Sequence, residues 1–377
     1  MYAGALTREL RSRDPSIQVA GLGGPQFAAA GGRLIEDYRG LSVTGLTEVL
    51  PKLSKYLAAM RALVAAAEKE RPDALVVVDF PDFNFRLAKR IKRLGIPVIY
   101  YIGPQVWAWR AGRIDTIRAL ADRVLVIFPF EERLYREKGV PVEFVGHPLI
   151  DLVRVTKPRD QFLHDHNLSP GVPTVAILPG SRANEVSRIL PDLLVAAEKI
   201  RAAIPAVQFV IARAPHLDDR LFRALSRAWP PPGPGPGGGQ ATVVEGDTDT
   251  VLASADLALT ASGTATVQAA LHGTPMVVVY RLSPVTYRLA KALVSVPSIG
   301  MVNLIAGERV VPELVQNELT PEAVAREATA VLTDRARADR IREHLAGVRE
   351  RLGGPGGSRR AADAILRVIG SHKPCPS

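Results

Sequence analysis

The feature of this sequence that most restricts its fold is a regular alternation of short apolar runs with longer amphipathic stretches. The predicted strands cover residues 17–21, 74–79, 98–102, 124–128 and 143–145, and then 174–178, 207–212, 242–244, 256–260 and 275–280. The run over 74–78 is apolar at every position, which is typical of a strand covered on both faces. Between the strands, apolar residues recur at helical spacing, for example over 85–94 and 184–201. Such alternation predicts an α/β fold of parallel sheets joined by right-handed crossovers.

The strand and helix pattern also divides the chain. A length of 377 residues favours two domains. The alternation breaks once, where Gly146-His147-Pro148 is followed by a charged stretch over 157–160. We therefore predict two doubly wound, Rossmann-like domains that face each other across a cleft, formed by residues 1–155 and 156–377. The proline- and glycine-rich run over 230–239 is interpreted as a surface loop of the second domain.

Composition restricts the partners and the compartment. The net charge of +10 favours anionic partners, and we find no nucleic-acid-binding signature. The basic cluster over 89–93 is interpreted as a solvated helix face. The single cysteine, Cys375, excludes an internal disulfide, and the isolated His147 is interpreted as structural, so we predict no metal site. No apolar run reaches the ~18 residues that span a bilayer, and the first ten residues do not resemble a signal peptide, which favours the cytoplasm.

An acidic motif follows the apolar strand over 74–79. Ligands of parallel sheets bind at the carboxyl ends of the strands. A partly buried carboxylate at that place has a raised pKa and can act as a general base, the role we predict for Asp79. Asp82, three residues later, is predicted to cap the following helix.

Two glycine-containing loops follow strands of the second domain. The loop after 174–178 contains Gly180, Ser181, Arg182 and Glu185. The loop after 256–260 contains Ser262, Gly263 and Thr264. Glycine lets a ligand approach the backbone, helix starts offer N–H donors, and arginine binds phosphate bidentately. Two such loops in one sheet predict a nucleotide diphosphate site, whereas the glycines at 21–24 are interpreted as a tight turn.

An apolar stripe at helical spacing covers residues 46–64 and includes Leu50, Leu53, Leu57 and Met60, with basic residues between them. Two interpretations stay open. The stripe is either a core face or an interfacial surface that contacts a membrane or acyl chains. The two tryptophans within 106–110 also have two equally favoured interpretations, as part of a cleft wall or of the core.

Six motifs, taken in order, resemble those of one enzyme family. They lie at residues 78–84, 104–110, 144–148, 178–186, 261–266 and 302–307. Together they are similar to the motifs of lipid-A-disaccharide synthases, which are inverting glycosyltransferases with the two-domain GT-B fold.

The resemblance implies a reaction and a set of roles. UDP-2,3-diacylglucosamine donates its sugar to 2,3-diacylglucosamine 1-phosphate (lipid X), and the products are the β-1,6-linked disaccharide 1-phosphate and UDP, with no metal or cofactor. Asp79 matches the base that takes the proton of the acceptor 6-hydroxyl, and Arg182 matches a residue that binds the donor diphosphate or the acceptor phosphate. Donor-site positions are matched by Ser262, Gly263, Thr264 and, as a UDP contact, Asn303. The family also implies a homodimer and a peripheral position on the cytoplasmic face of the inner membrane.

Two departures from the family pattern leave alternatives open. Many relatives carry glutamate where this chain has Gln268, a position suited to the ribose hydroxyls. The family also opens with a strand and a Gly-Glu-x-Ser-Gly-Asp loop, and we expect this chain to begin just after them. The alternatives are a UDP-sugar epimerase of the same plan and an inactive protein that binds UDP or lipid.

Overall fold

The protein divides into two compact units, each of which is described by itself. The structure, a computed structural model, describes residues 1–38, 49–104, 112–215, 217–226, 241–282 and 298–372, with the backbone alone for 49–53 and 223–226. Unit 1 contains residues Met1–Leu152 and the C-terminal residues from Arg351, and unit 2 extends from Val153 to Glu350. The tryptophan motif, the run over 230–239 and Cys375 lie outside the described residues.

The described residues of unit 1 form two parallel sheets. The smaller sheet pairs β1 (Ala20–Gly23) with β2 (Arg33–Asp37). The larger has the order β3-β4-β5-β6, with strands Leu75–Val78, Val98–Tyr101, Arg123–Val126 and Val142–Phe144. The helices up to the unit boundary are α1 (Tyr2–Arg13), α2 (Pro25–Ala29), α3 (Val49–Glu70), α4 (Pro81–Lys92), α5 (Arg113–Leu120), α6 (Pro129–Glu137) and α7 (Leu149–Leu152). Val78 pairs with Tyr101, so β3 and β4 end side by side.

Helix α4 shows why these stretches fold as they do. Phe83, Leu87 and Ile91 recur at intervals of four residues and are buried in one cluster with α3. The opposite face carries the basic cluster, where Lys89, Arg90 and Arg93 are exposed. The prediction of a solvated basic helix face is therefore confirmed.

In unit 2, the part of the chain that the structure describes forms one parallel sheet of six strands in the order β12-β11-β10-β7-β8-β9. In chain order, β7 to β12 cover Thr174–Leu178, Gln208–Arg213, Thr242–Glu245, Leu257–Ala261, Met276–Tyr280 and Glu313–Val315. The helices are α8 (Arg159–Asp165), α9 (Ala183–Ala203), α10 (Asp219–Ser226), α11 (Thr248–Ala253), α12 (Thr264–Leu271), α13 (Met301–Ala306), α14 (Pro321–Thr333) and α15 (Arg335–Arg351). The chain proceeds from β7 to one side and then returns to β10 on the other, so the strand order reverses between β7 and β10.

The C-terminal helix α16 (Gly357–His372) belongs to unit 1. It packs against α1, where Arg13 forms an ion pair of 2.5 Å with Asp363. The carbonyl of Leu352 accepts a hydrogen bond of 2.8 Å from the backbone N–H of His147. Helix α16 is therefore packed within the first unit, far along the chain from the rest of it.

The predicted α/β fold of two Rossmann-like units is confirmed, and all ten predicted strands are present within three residues of their predicted limits. Two strands were missed: β2, which is largely polar, and β12, which has only three residues. The predicted tight turn at 21–24 is wrong. Gly21 and Gly23 lie in β1, and a Cβ on Gly23 would lie 2.3 Å from the Phe27 ring. Close packing, not a turn conformation, requires glycine at position 23.

Candidate functional site

The carboxyl edge of β3 and β4 carries Asp79 in a strained backbone. Asp79 and Phe80 have φ values of 47° and 45°, and Ile102, just after β4, has a φ of 57°. These are left-handed conformations that residues other than glycine rarely adopt. The Asp79 N–H donates to the Ile102 carbonyl at 3.2 Å, so the strained residues of the two strand ends are joined directly.

The carbonyl oxygen of Asp79 accepts two further hydrogen bonds from side chains. The Tyr100 hydroxyl donates to it at 3.0 Å, and the Asn84 amide also donates to it. The same amide donates to the carbonyl of Val78 at 3.2 Å. Sequence reasoning missed Tyr100, because only the pairing of β3 with β4 brings it beside Asp79.

Two details of this edge differ from the predictions. Asp79 is exposed rather than partly buried. Asp82 does not cap α4, because the N-cap residue is Phe80 and no side chain caps it. The Asp82 carboxylate instead accepts a hydrogen bond of 2.7 Å from the Arg113 guanidinium.

An exposed apolar patch lies beside Asp79. Phe80 is 42% exposed and stacks on Phe83, and Tyr56 of α3 meets Phe83 edge-on at 4.9 Å between centroids. Leu57, the neighbour of Tyr56, is 41% exposed. Phe80 is therefore an apolar surface residue that sequence reasoning did not single out.

The structure decides between the two interpretations of the stripe in α3 for one of its residues. Met60 is 2% exposed and belongs to the core cluster, so we withdraw its assignment as a membrane or acyl contact. Leu57 stays available on the surface. Leu50 and Leu53 lie where the backbone alone is described.

His147 is structural, as predicted. It is 3% exposed, and its Nδ1 accepts a hydrogen bond of 3.1 Å from the Leu149 N–H. Burial lowers the pKa of His147 to about 3, so the ring is neutral near pH 7. Within the described ranges, no group of three or more His, Cys, Asp or Glu side chains is placed to hold a metal ion.

In unit 2 the two glycine loops meet at the reversal of strand order. Leu178, the last residue of β7, pairs with Thr260 of β10, so both loops leave the same edge on neighbouring strands. Gly180 has a φ of 119° and Gly263 a φ of 146°, conformations that favour glycine. In open α/β sheets such a reversal forms the crevice that binds ligands.

The first loop holds its arginine against a carboxylate. Glu185 accepts a hydrogen bond of 2.7 Å from Arg182 and one of 3.3 Å from the Ser181 N–H. These are the two donors that the sequence analysis assigns to phosphate, and both contact the Glu185 carboxylate. Nearby, burial and the Glu185 carboxylate raise the pKa of Tyr280, which keeps its hydroxyl protonated.

The second loop begins α12. Gly263 is the N-cap residue, Thr264 is exposed, and the Ser262 hydroxyl donates to the Ile299 carbonyl at 3.0 Å. Gly263 and Thr264 therefore remain at the surface of this edge, whereas Ser262 also fixes the segment before α13.

Gln268 faces an aspartate that sequence reasoning missed. Its amide donates to Asp249 at 3.1 Å, and His272 Nε2 lies 3.0 Å from the same oxygen. Burial alone would raise the pKa of Asp249, but hydrogen bonds from His272, the Arg154 N–H and Gln268 outweigh it and lower the pKa. Because a carboxylate accepts only, the Gln268 amide nitrogen must point to Asp249, and its oxygen points elsewhere.

The predicted UDP contact of Asn303 is not supported by the structure. Asn303 is 1% exposed, and its amide donates to the Val311 carbonyl and to Glu313. Its oxygen accepts from the N–H groups of Val310 and Val311. All four hydrogen-bonding positions of the side chain are therefore used within the protein, so Asn303 has none left for a nucleotide.

A surface cavity of about 830 Å³ lies elsewhere in unit 2, beside the edge strand β12. Its charged lining is balanced between arginines and glutamates: Arg309, Arg326, Arg337, Arg340, Glu308, Glu313, Glu318 and Glu327. None of the predicted site residues lines it. Among the described residues, the structure shows no helix that has both the length and the apolar character of a membrane span.

Comparisons with known proteins agree with this architecture. A family model described as lipid-A-disaccharide synthetase matches residues 1–365. The lipid-A-disaccharide synthase of Syntrophus aciditrophicus (strain SB) is 43% identical over 369 residues, which are 98% of this chain and 94% of that protein.

Solved structures show the same fold at low sequence identity. The S. aureus MnaA structure with UDP matches with a TM-score of 0.65 at 13% identity, over 99% of this chain and 94% of that one. The calicheamicin glycosyltransferase CalG4 matches with a TM-score of 0.59 at 18% identity, over 99% and 95%.

Proposed function

This chain belongs to the lipid-A-disaccharide synthase family. On that basis we propose that each of its two units supplies different groups to one glycosyl transfer reaction. The enzyme is a glycosyltransferase. It transfers 2,3-diacylglucosamine from UDP-2,3-diacylglucosamine to lipid X. We assign the base to unit 1 and the nucleotide site to unit 2.

Asp79 is the proposed general base. As the acceptor 6-hydroxyl attacks the anomeric carbon, a new carbon–oxygen bond forms and the bond from that carbon to UDP breaks. The hydroxyl proton passes to the Asp79 carboxylate, and the bonding electrons leave with UDP. The position of Asp79 at the carboxyl end of β3, exposed to an incoming substrate, supports this role.

The nucleotide diphosphate is proposed to bind at the edge shared by β7 and β10. The observation that carries this proposal is the meeting of two glycine loops at the reversal of strand order. Helix starts at α9 and α12 and the Arg182 guanidinium would stabilise the charge that develops on UDP. We propose that Gly180, Ser181, Gly263 and Thr264 approach the phosphates and that the Gln268 oxygen accepts from a ribose hydroxyl.

The exposed pair of Leu57 and Phe80 is proposed to contact acyl chains or the membrane surface. The same two helices carry exposed basic residues, Lys55 and Arg61 on α3 and Arg86 on α4, which suit an anionic headgroup layer. We place this contact on the cytoplasmic face of the inner membrane. Assembly as a homodimer stays a prediction of the family resemblance.

The proposal is tested by mixing purified protein with both substrates in detergent and measuring the disaccharide 1-phosphate by mass spectrometry. Loss of the base should lower kcat about 10²- to 10⁴-fold in Asp79→Ala. Asp82→Asn, which alters a neighbouring exposed carboxylate, is the matched control and should keep most of the activity. Full activity of Asp79→Ala would contradict the assignment of the base.

The nucleotide site is tested separately by titrating UDP. Arg182→Ala should weaken UDP binding, whereas Arg188→Ala, on the exposed surface of the same helix, should not. Equal affinities in the two variants would contradict the placement of the diphosphate beside Arg182.

A further inference from the structure

We infer that Asn84 and Tyr100 are positioning residues that hold the Asp79–Phe80 peptide in its left-handed conformation and thereby aim the Asp79 carboxylate. This inference rests on the proposed function, because it explains how the proposed base is oriented. It concerns two side chains to which the family resemblance assigned no role.

The first ground is the concentration of strain. Asp79, Phe80 and Ile102 all have positive φ values, and all lie at the carboxyl ends of two paired strands. Phenylalanine and isoleucine gain nothing from this conformation locally, since among residues other than glycine it is mainly asparagine and aspartate that occasionally adopt it. Such a conformation persists where surrounding contacts impose it, and it is concentrated at functional sites.

The second ground is the set of contacts that imposes it. The Asp79 N–H donates to the Ile102 carbonyl at 3.2 Å, and the Asp79 carbonyl accepts from Tyr100 at 3.0 Å and from Asn84. Both backbone polar atoms of Asp79 are therefore held. The direction of its side chain follows from the orientation of the held peptide.

The third ground is that the two donors suit this task. Asn84 is 7% exposed and belongs to α4, whose apolar face is packed in the core, so its amide sits on a rigid element. Tyr100 is 2% exposed. Burial, with a further contribution from the Asp79 carboxylate, raises the pKa of Tyr100, so its hydroxyl keeps the proton it donates.

The experiment compares kcat and KM of the full chain for Asn84→Ala, Asn84→Asp and Tyr100→Phe. A misdirected base should lower kcat roughly 10- to 100-fold in both Asn84 variants, with KM for each substrate changed less than about twofold. Asn84→Asp keeps the size of the side chain, but once ionised it cannot donate. Tyr100→Phe removes one hydroxyl and should fold even where the Asn84 variants do not, with a smaller loss of kcat.

Gln208→Ala is the matched control for lost stability. Gln208 is also a buried carboxamide that donates to a backbone carbonyl, that of Ser169 at 2.9 Å, but it lies in unit 2. Its replacement should lower thermal stability and leave kcat of the folded protein near the wild-type value. A parallel loss of kcat in Gln208→Ala would show that destabilisation alone explains the effect, and would overturn the inference.

A double-variant cycle tests whether Asn84 acts on the rate through Asp79. Adding Asn84→Ala to Asp79→Ala should change the residual rate less than about twofold, because no base remains to be aimed. Wild-type kcat in Asn84→Ala and Tyr100→Phe, or an undiminished effect of Asn84→Ala without Asp79, would overturn the inference alone. An unchanged rate in Asp79→Ala would overturn the proposed function itself, so the two failures are distinguishable.

Discussion

The two units build their candidate edges in opposite ways. Unit 1 places residues with side chains, Asp79 and Phe80, in left-handed backbone and holds them with hydrogen bonds. Unit 2 uses glycine at the corresponding places, Gly180 and Gly263. A base must present a side chain, whereas a phosphate site needs backbone N–H groups and close approach. At these two edges, a positive φ is therefore combined with a side chain where a base is proposed and with glycine where a phosphate site is proposed.

The most direct test of this comparison replaces Asp79, the residue in strained backbone, with glycine. Asp79→Gly should lower kcat about 10²- to 10⁴-fold, because the base is lost. It should also be more stable than Asp79→Ala by roughly 1 kcal/mol, the reverse of the usual order, since glycine adopts positive φ without steric cost. Urea unfolding of both variants measures this difference, and a more stable alanine variant would contradict the strain.

The converse change in unit 2 is Gly180→Ala. The new Cβ would lie 2.8 Å from Glu185 Oε2 in a backbone conformation that alanine rarely adopts, so we expect a loss of about 1–3 kcal/mol. The affinity of the Gly180→Ala variant for UDP should also fall. Gly171→Ala, at an exposed glycine with open space around it, is the control and should change little. Equal unfolding midpoints for the two variants would show that Gly180 is replaceable.

His147 should make the stability of unit 1 sensitive to acid. Its folded-state pKa of about 3 lies below the ordinary value, so below about pH 6.5 the unfolded chain binds a proton that the folded chain does not. Stability is therefore complete above pH 6.5 and is lost as the pH falls toward 3. Between pH 7.5 and 5 the wild type should lose about 2 kcal/mol more than His147→Asn. Parallel pH curves for the two proteins would contradict this.

The smallest expected effect concerns the family departure at Gln268. In Gln268→Glu, a second carboxylate would face Asp249 at about the present 3.1 Å, with an expected cost of about 1 kcal/mol. Asp249→Asn in the same chain should remove that cost. Thermal unfolding of the single and double variants measures this cost. An unfolding temperature of Gln268→Glu equal to that of the wild type would mean that Asp249 does not favour glutamine over glutamate at position 268.

Much of the fold was predictable, because apolar periodicity is a local property. The ten predicted strands follow from it, as does the helix predicted over 85–94, which the structure places at Pro81–Lys92. Strand β2 was missed because polar residues dominate it, and β12 because three residues carry no period. That each glycine loop follows a strand was also predictable from local sequence. Because β7 and β10 are parallel neighbours, the sheet places the two loops at the same edge.

The site was only partly predictable, because hydrogen-bond partners and packing contacts are fixed only once the chain is folded. Asn303 belonged to a family motif, yet its partners around Val311 and Glu313 use every polar atom it has. Met60 shared its spacing with Leu57, but the packing of Phe83 decided which of them is buried. Single-sequence patterns contain neither fact.

The sequence by itself determined the α/β class, the two-unit division of strands and the residues able to carry charge or approach phosphate, because these depend on composition and on spacing along the chain. Tertiary structure alone decided the left-handed backbone of Asp79 and the orientation of the Gln268 amide. The physical reason is that a dihedral angle or the orientation of an amide depends on its contacts. At Asp79 and Gln268 these contacts come from Tyr100 and Asp249, about twenty residues away along the chain.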